Sequence, residues 1–197
     1  MRNLILTVLV FGAISLAAAQ QTDTYGWEGT ATILSMYPDD SVVPTLVADP
    51  VHGGSQSLQL ERLSENTPQA YVAWITGLSD GDEVTASFWR YDVTPAEPPS
   101  CRIWAHWNDT GDIDGYNGSA SGNTEYGPGT GWDETSYTWT VSEGHTGLVI
   151  EARVYSNAGD IVWVDDMTVT APTAATIIFP GDLALTGTTW GTIKTLF

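Results

Sequence analysis

The sequence predicts an all-β chain, an antiparallel sandwich or barrel of eight or nine short strands. Three observations carry that reading. Short apolar or alternating runs recur along the chain, divided by clusters of Gly, Pro, Asn, Asp and Ser. No segment before residue 185 shows helical periodicity, so there are no crossover helices to build a parallel sheet. Finally, Asp160–Thr170 is apolar on both parities, with Ile161, Trp163, Met167 and Val169 on one and Val162, Val164 and Thr168 on the other. A strand of that kind belongs inside a sheet rather than at its rim. Two adjacent carboxylates, Asp165 and Asp166, interrupt it. An unpaired buried charge is costly, so either the strand emerges into water there or a cation faces one of them.

Taken in order, the chain opens with one positive charge at Arg2, an apolar stretch too short to span a bilayer comfortably, and Ala17-Ala18-Ala19. This reads as a secretory signal peptide over residues 1–19, which implies a secreted, extracellular protein, in one variant attached to a cell surface. No other stretch is apolar enough for a membrane span. Residues 20–24 are polar and read as a flexible N-terminus. Trp27–Met36 reads as a first strand, broken by Pro38-Asp39-Asp40-Ser41, with Pro44–Ala48 resuming an extended piece. After the turn Asp49–Ser55 come strands over Ser57–Leu63, Pro68–Thr76 and Glu83–Asp92. Pro95–Ser100, with three prolines, is a rigid loop, and Cys101–Trp107 returns as a strand. Asn108–Gly131 is rich in Gly, Asn, Ser and Asp and by its length is either a functional loop or a mobile one. Thr135–Ser142, Gly147–Tyr155 and Asp160–Thr170 complete the set. A domain over 25–171 is therefore followed by a linker and apolar tail over 172–197. That tail is either an appendage for an export or surface partner, or a strand packing on the sandwich.

Charge and cysteine usage bound the function. The chain carries 24 acidic residues against six basic ones, a net charge of −18; without Arg2 five basic residues remain. Such a surface repels nucleic acid and anionic lipid, and disfavours strongly anionic polysaccharides unless a local basic patch overrides the field. With Cys101 as the one cysteine, no disulfide supports the fold, so stability rests on a core, a metal, or both.

Four segments carry a family resemblance: Tyr25-Gly26-Trp27-Glu28-Gly29, the glycine turn His52–Leu60, Gly77–Phe88, and the closing Val162–Val169 with its Asp pair. In their order and spacing they resemble jelly-roll carbohydrate-binding modules of the family 4/9/22-like, galactose-binding-like group. The resemblance implies a jelly-roll β-sandwich over about 25–171 and a structural calcium. Carried over by position, its ligands would be the Gly26 carbonyl, Glu28, the His52 and Ser55 carbonyls, and Asp165 or Asp166. At His52, where members often supply a side-chain oxygen, only the carbonyl could serve. Mixed carboxylate and carbonyl oxygens suit calcium. A second acidic run, Asn108–Gly115, is not an EF-hand: Thr110 stands where the first Asp would be and Ser121 where the closing Glu would be.

A sugar-binding surface needs exposed aromatic rings flanked by hydrogen-bonding side chains. Parity proposes one. If Val84, Ala86 and Phe88, then Cys101, Ile103, Ala105 and Trp107, then Leu148, Ile150, Ala152 and Val154 face the core, the opposite face carries Trp89, Tyr91, Arg102, Trp104, His106, Glu151, Arg153 and Tyr155. These would share one cleft if their strands neighbour each other in one sheet; the alternative is that the 108–131 loop covers the rings and they act as a second small core. Tyr71 and Trp74 lie on opposite parities of a strand apolar on both sides and resist assignment. Trp132 is placed to pin the loop, and Trp139 with Tyr137 and Val141 reads as core.

Catalysis is poorly supported. His52, His106 and His145 sit in unrelated contexts, Cys101 has core parity, and no nucleophile elbow, zinc motif or phosphate loop is present. A glycosidase needs two carboxylates across one cleft; Glu151 with Asp92 or Asp109 could supply them, but nothing singles out that pair. The reading is non-catalytic binding of a neutral poly- or oligosaccharide by a calcium-stabilised exported module. A structural or adhesive surface module binding protein is the alternative, with a hydrolase or lyase third.

Overall fold

The computed structural model describes residues 19–93, 100–128, 130–155 and 157–182. The expected signal peptide, apart from Ala19, and the expected tail beyond Asp182 lie outside the described residues. In chain order the strands are β1 (Gln20–Tyr25), β2 (Ser35–Tyr37), β3 (Val42–Val47), β4 (Ser57–Arg62), β5 (Gln69–Thr76), β6 (Glu83–Asp92), β7 (Ser100–Trp107), β8 (Ser119–Gly122), β9 (Gly131–Thr140), β10 (Gly147–Tyr155), β11 (Ile161–Pro172) and β12 (Thr176–Ile178). They form two antiparallel sheets of six strands each. One runs β3-β4-β11-β6-β9, with β1 also on β11. The other runs β12-β5-β10-β7-β8, with β2 also on β5. The all-β antiparallel sandwich expected from the sequence is therefore the fold, with short extra strands at its margins.

The inward faces carry the expected residues. Val84, Ala86 and Phe88 of β6 meet Ile103 and Ala105 of β7 and Leu148, Ile150 and Ala152 of β10 in one core with Leu58, Leu60, Val164 and Val169. Pro44, which has no N–H to give a ladder, sits in β3 at the sheet's edge.

The closing strand β11 lies between β4 and β6 and also takes β1 along its last six residues. Its two apolar parities arise largely because the inward set changes parity midway, from Val162 and Val164 to Met167 and Val169. Its acidic pair falls on a bulge: Asp165 pairs with Trp89, the next partner is Thr168 with Ser87, and Asp166 takes a left-handed φ of 45°.

Three expectations change. Residues 20–24 are not a loose end: β1 pairs with Met167–Pro172, and Gln21 Nε2 donates to the Ala175 carbonyl at 2.7 Å. The sandwich likewise continues past 171, since β12 adds to the edge of β5. The strand expected over Trp27–Met36 is largely irregular and only Ser35–Tyr37 pairs. Trp27 has φ 54°, and this reversal drops its indole, fully buried, into the core, where Nε1 donates to the Thr32 carbonyl at 2.7 Å.

Candidate functional site

The ladders among β5, β10 and β7 place outward-facing side chains in rows across the second sheet. Gln69, Arg153 and Arg102 form one row, and Tyr71, Glu151 and Trp104 the next. A bulge at Ile150/Glu151 skips Val72, which brings both Tyr71 and Trp74 to the outward side with Val149. Parity alone could not place these two rings for that reason.

Glu151 is the centre of this face, although no part of it reaches solvent. Its Oε1 lies 2.6 Å from His106 Nδ1 and its Oε2 accepts from Arg153 Nε at 2.6 Å. In the amide orientation that gives both groups partners, Gln69 Nε2 donates to both Glu151 oxygens at 3.2 Å. His106 is 1% exposed and its Nε2 has no partner among the described residues. Burial first, then the charge of Glu151, pushes the Tyr71 phenol far above its ordinary pKa, so it stays a neutral O–H. Above this network, Arg153 stacks on Trp104 at 4.6 Å, Arg102 stacks on Tyr155 at 3.9 Å and Tyr126 at 4.4 Å, and Trp104 Nε1 donates to Ser119 Oγ at 3.0 Å.

Beside these rows lies a cleft of about 460 Å³ lined by Tyr37, Gln69, Tyr71, Asp114, Tyr116 and Arg153. Tyr37 and Tyr116 are the exposed rings, at 59% and 65%. Asp114 accepts from Ser35 Oγ, which ties the loop after β7 to β2. That loop is braced. Asn108 Nδ2 donates to the carbonyls of Asp112 at 2.7 Å and Gly115 at 2.9 Å. Asp109 accepts from the Thr146 amide at 2.7 Å and faces His145, whose ring stacks on Trp107 at 4.7 Å. Burial pushes Asp109 upward, but the Thr146 amide and His145 outweigh it and hold its carboxyl below the usual range.

Of the eight side chains expected to share one face, Arg102, Trp104, His106, Glu151, Arg153 and Tyr155 do so. Trp89 and Tyr91 do not. Their strand β6 belongs to the other sheet, where Tyr91 contacts Trp132 at 5.3 Å and Trp163 at 5.5 Å, and Trp89 stacks on His52 at 3.9 Å. Trp132 therefore packs on that opposite face. The sequence reading missed Tyr37, Gln69, Tyr71, Asp114 and Tyr116. Most of them sit at strand ends or in a loop, where periodicity gives no signal.

Glu28, Asp165 and Asp166, expected as calcium ligands, each reach the turn after β3. Glu28 Oε1 accepts from the Ser55 and Gln56 amides and Oε2 from Ser55 Oγ at 2.5 Å. These bonds, the Ser55 hydroxyl first, lower its pKa. Asp165 is fully buried and accepts from the backbone N–H of His52, Gly53 and Asp166 at 2.9, 3.1 and 2.8 Å. Burial nevertheless raises its pKa, and the charge of Asp166 adds to this. Asp166 Oδ2 lies 2.6 Å from His52 Nδ1. Gly54 takes a left-handed φ of 66°, which favours glycine there, and a Cβ on Gly53 would press on the end of the Asp166 side chain, 2.4 Å from Oδ2. Among the described residues no three His, Cys, Asp or Glu side chains stand close enough to hold a metal. The oxygen-rich donor set still suits a hard cation if backbone carbonyls join it. Asp166 is then the better-placed carboxylate, since Asp165 is committed to three N–H groups.

No family model matches the chain, and no curated protein does. Solved structures do. The CBM22-1 xylan-binding domain of Paenibacillus barcinonensis Xyn10C superposes with a TM-score of 0.57 at 16% identity, covering 80% of this chain and 98% of that domain. The CBM22-1–CBM22-2 tandem of the same protein gives 0.53 at 16% identity, over 81% of this chain and 48% of that two-module chain. At this identity the likeness speaks for the fold, and it bears out the jelly-roll sandwich of carbohydrate-binding modules that the sequence resembles. No helix among the described residues is long and apolar enough to cross a membrane.

Proposed function

We propose that this is an exported, non-catalytic module that binds the neutral backbone of a polysaccharide in the cleft between Tyr37 and Tyr116. The observation that carries the reading is the pairing of two exposed aromatic walls with a polar floor of Gln69, Tyr71 and Arg153. Rings stack on the C–H faces of sugars while the floor meets hydroxyls. Xylan is the first ligand to test, because the structurally similar domain is a xylan-binding one. The commitment of both Glu151 oxygens to His106 and Arg153 supports binding over hydrolysis, since a catalytic carboxylate must face its substrate.

Affinity electrophoresis in soluble xylan, β-glucan and mannan tests this. Tyr37→Ala and Tyr116→Ala should each weaken binding by about 5- to 30-fold, roughly 1–2 kcal/mol, and leave the urea midpoint in place. A double variant that binds like the parent would sink the cleft and leave the adhesive alternative standing.

Calcium belongs to the same reading. Glu28, Asp166 and the carbonyls of Gly26, His52 and Ser55 would hold it, with Asp165 supporting the turn beneath. When bound it supplies a cross-link between the chain's opening and closing segments. Calcium at about 100 times its dissociation constant should add roughly 2.7 kcal/mol, a rise of about 5–10 °C in Tm that EDTA reverses. A melting temperature indifferent to both would remove the metal from the account.

A further inference from the structure

We propose that the face beside the cleft carries a subsite for a carboxylate, so that the bound glycan has a neutral backbone decorated with uronic acid. This rests on the polysaccharide reading above. Four arginines follow the signal segment. Arg62 donates to the carbonyls of Ser64, Glu65 and Asn66. Arg90 pairs with Asp133 and donates to the carbonyls of Cys101 and Glu125. Both are structural. The other two, Arg102 and Arg153, stand directly opposite each other in the β7–β10 ladder, on the outward face.

Like charges opposed across a ladder destabilise it. Glu151 answers Arg153, whose Nε it holds at 2.6 Å. Arg102 has no ion-pair partner among the described residues, although the chain carries 24 acidic residues to six basic ones. Its guanidinium is instead fixed between the rings of Tyr155 and Tyr126, one Nη1 donates to the Thr124 carbonyl at 2.9 Å, and its Nε is buried without a partner among the described residues. Aromatic faces hold a cation in place without neutralising it. The result is an oriented positive group in register with a second arginine, a pairing suited to receiving a carboxylate.

The row Gln69–Arg153–Arg102 ties this pair to the cleft, because Gln69 and Arg153 line it. Asp114 lines the cleft too and repels an anion, which directs a charged substituent towards Arg102. The chain's overall negative charge does not prevent this, because exposed charges beyond about 8 Å are screened at physiological salt.

Calorimetry on the whole protein tests the subsite with three probes: a xylo-oligosaccharide bearing one glucuronate, the same oligosaccharide with that carboxyl reduced to the alcohol, and poly-L-glutamate. The acidic oligosaccharide should bind about tenfold or more tightly than its reduced form. That ratio should shrink as salt rises and approach one in Arg102→Gln. Equal affinity for the acidic and reduced forms overturns the subsite and leaves the polysaccharide reading standing. Binding of neither overturns both. Poly-L-glutamate bound as tightly as the acidic oligosaccharide also overturns it, since that marks a patch for any polyanion. The comparison of probes on the parent protein decides the matter even if Arg102→Gln does not fold.

Discussion

Glu151→Ala is expected to destabilise the protein by about 3–5 kcal/mol and to abolish detectable xylan binding. The first number follows from what the carboxylate holds. His106 at 2.6 Å is 1% exposed and Arg153 at 2.6 Å is largely covered, so removing Glu151 strands one buried polar ring and one poorly solvated cation. Breaking a buried pair by deleting one partner costs that much because the other is left uncompensated. The binding loss follows from geometry. Glu151 fixes Arg153 and, through the amide of Gln69, two of the groups on the cleft floor. Freed from it, Arg153 loses the position that Trp104 alone does not define. Glu151→Gln should fall between: its oxygen accepts from one neighbour, while its amide N–H faces the other neighbour's donor. Urea unfolding measures the first effect, and titration at a temperature where the variant is fully folded measures the second. A variant within 1 kcal/mol of the parent, with unchanged affinity, would mean the network is ornamental. Asp165 carries the comparable effect on stability.

The two effects differ in how far the sequence foretold them. Alternation over Glu83–Asp92 and Gly147–Tyr155 gave those strands with their observed ends, because inward and outward neighbours alternate on a strand whatever it pairs with. Sheet membership is a long-range property that parity does not contain. β6 belongs to one sheet and β7 and β10 to the other, so Trp89 and Tyr91 face away from Trp104 and Tyr155. A bulge is equally silent in sequence: one skipped residue, Val72, moved Tyr71 to the side of Trp74. The cleft's exposed walls, Tyr37 and Tyr116, come from the end of a three-residue strand and from the 108–118 loop. Neither sits in a periodic run. What the sequence did show was an outward set rich in arginine and aromatic residues in a very acidic chain, and of that set Arg153 lines the cleft.

The acidic pair in β11 looked like a defect in a buried strand, to be resolved by water or by a cation. The structure answers Asp165 first with backbone: three N–H groups from His52, Gly53 and Asp166 converge on it. Asp165→Ala should therefore cost at least about 3 kcal/mol, since each buried N–H left without a partner costs roughly 1–3 kcal/mol. Asp165→Asn should cost less, because its carbonyl oxygen still accepts from the turn while its amide meets the Asp166 N–H as donor to donor. The same pair separates backbone clasp from metal ligand. If Asp165 supports the turn and Asp166 carries the calcium, Asp165→Asn should lower the unfolding midpoint with and without calcium. Asp166→Asn should lower it little in EDTA and remove most of the calcium-dependent rise. Denaturant titrations of both variants, each with calcium and with EDTA, give four midpoints. If instead Asp165→Asn were to erase the calcium response and Asp166→Asn to keep it, the two roles are reversed. Either way the turn after β3 and the closing strand are joined through carboxylates, since Asp165 accepts from the His52 and Gly53 N–H groups and Asp166 faces the His52 ring.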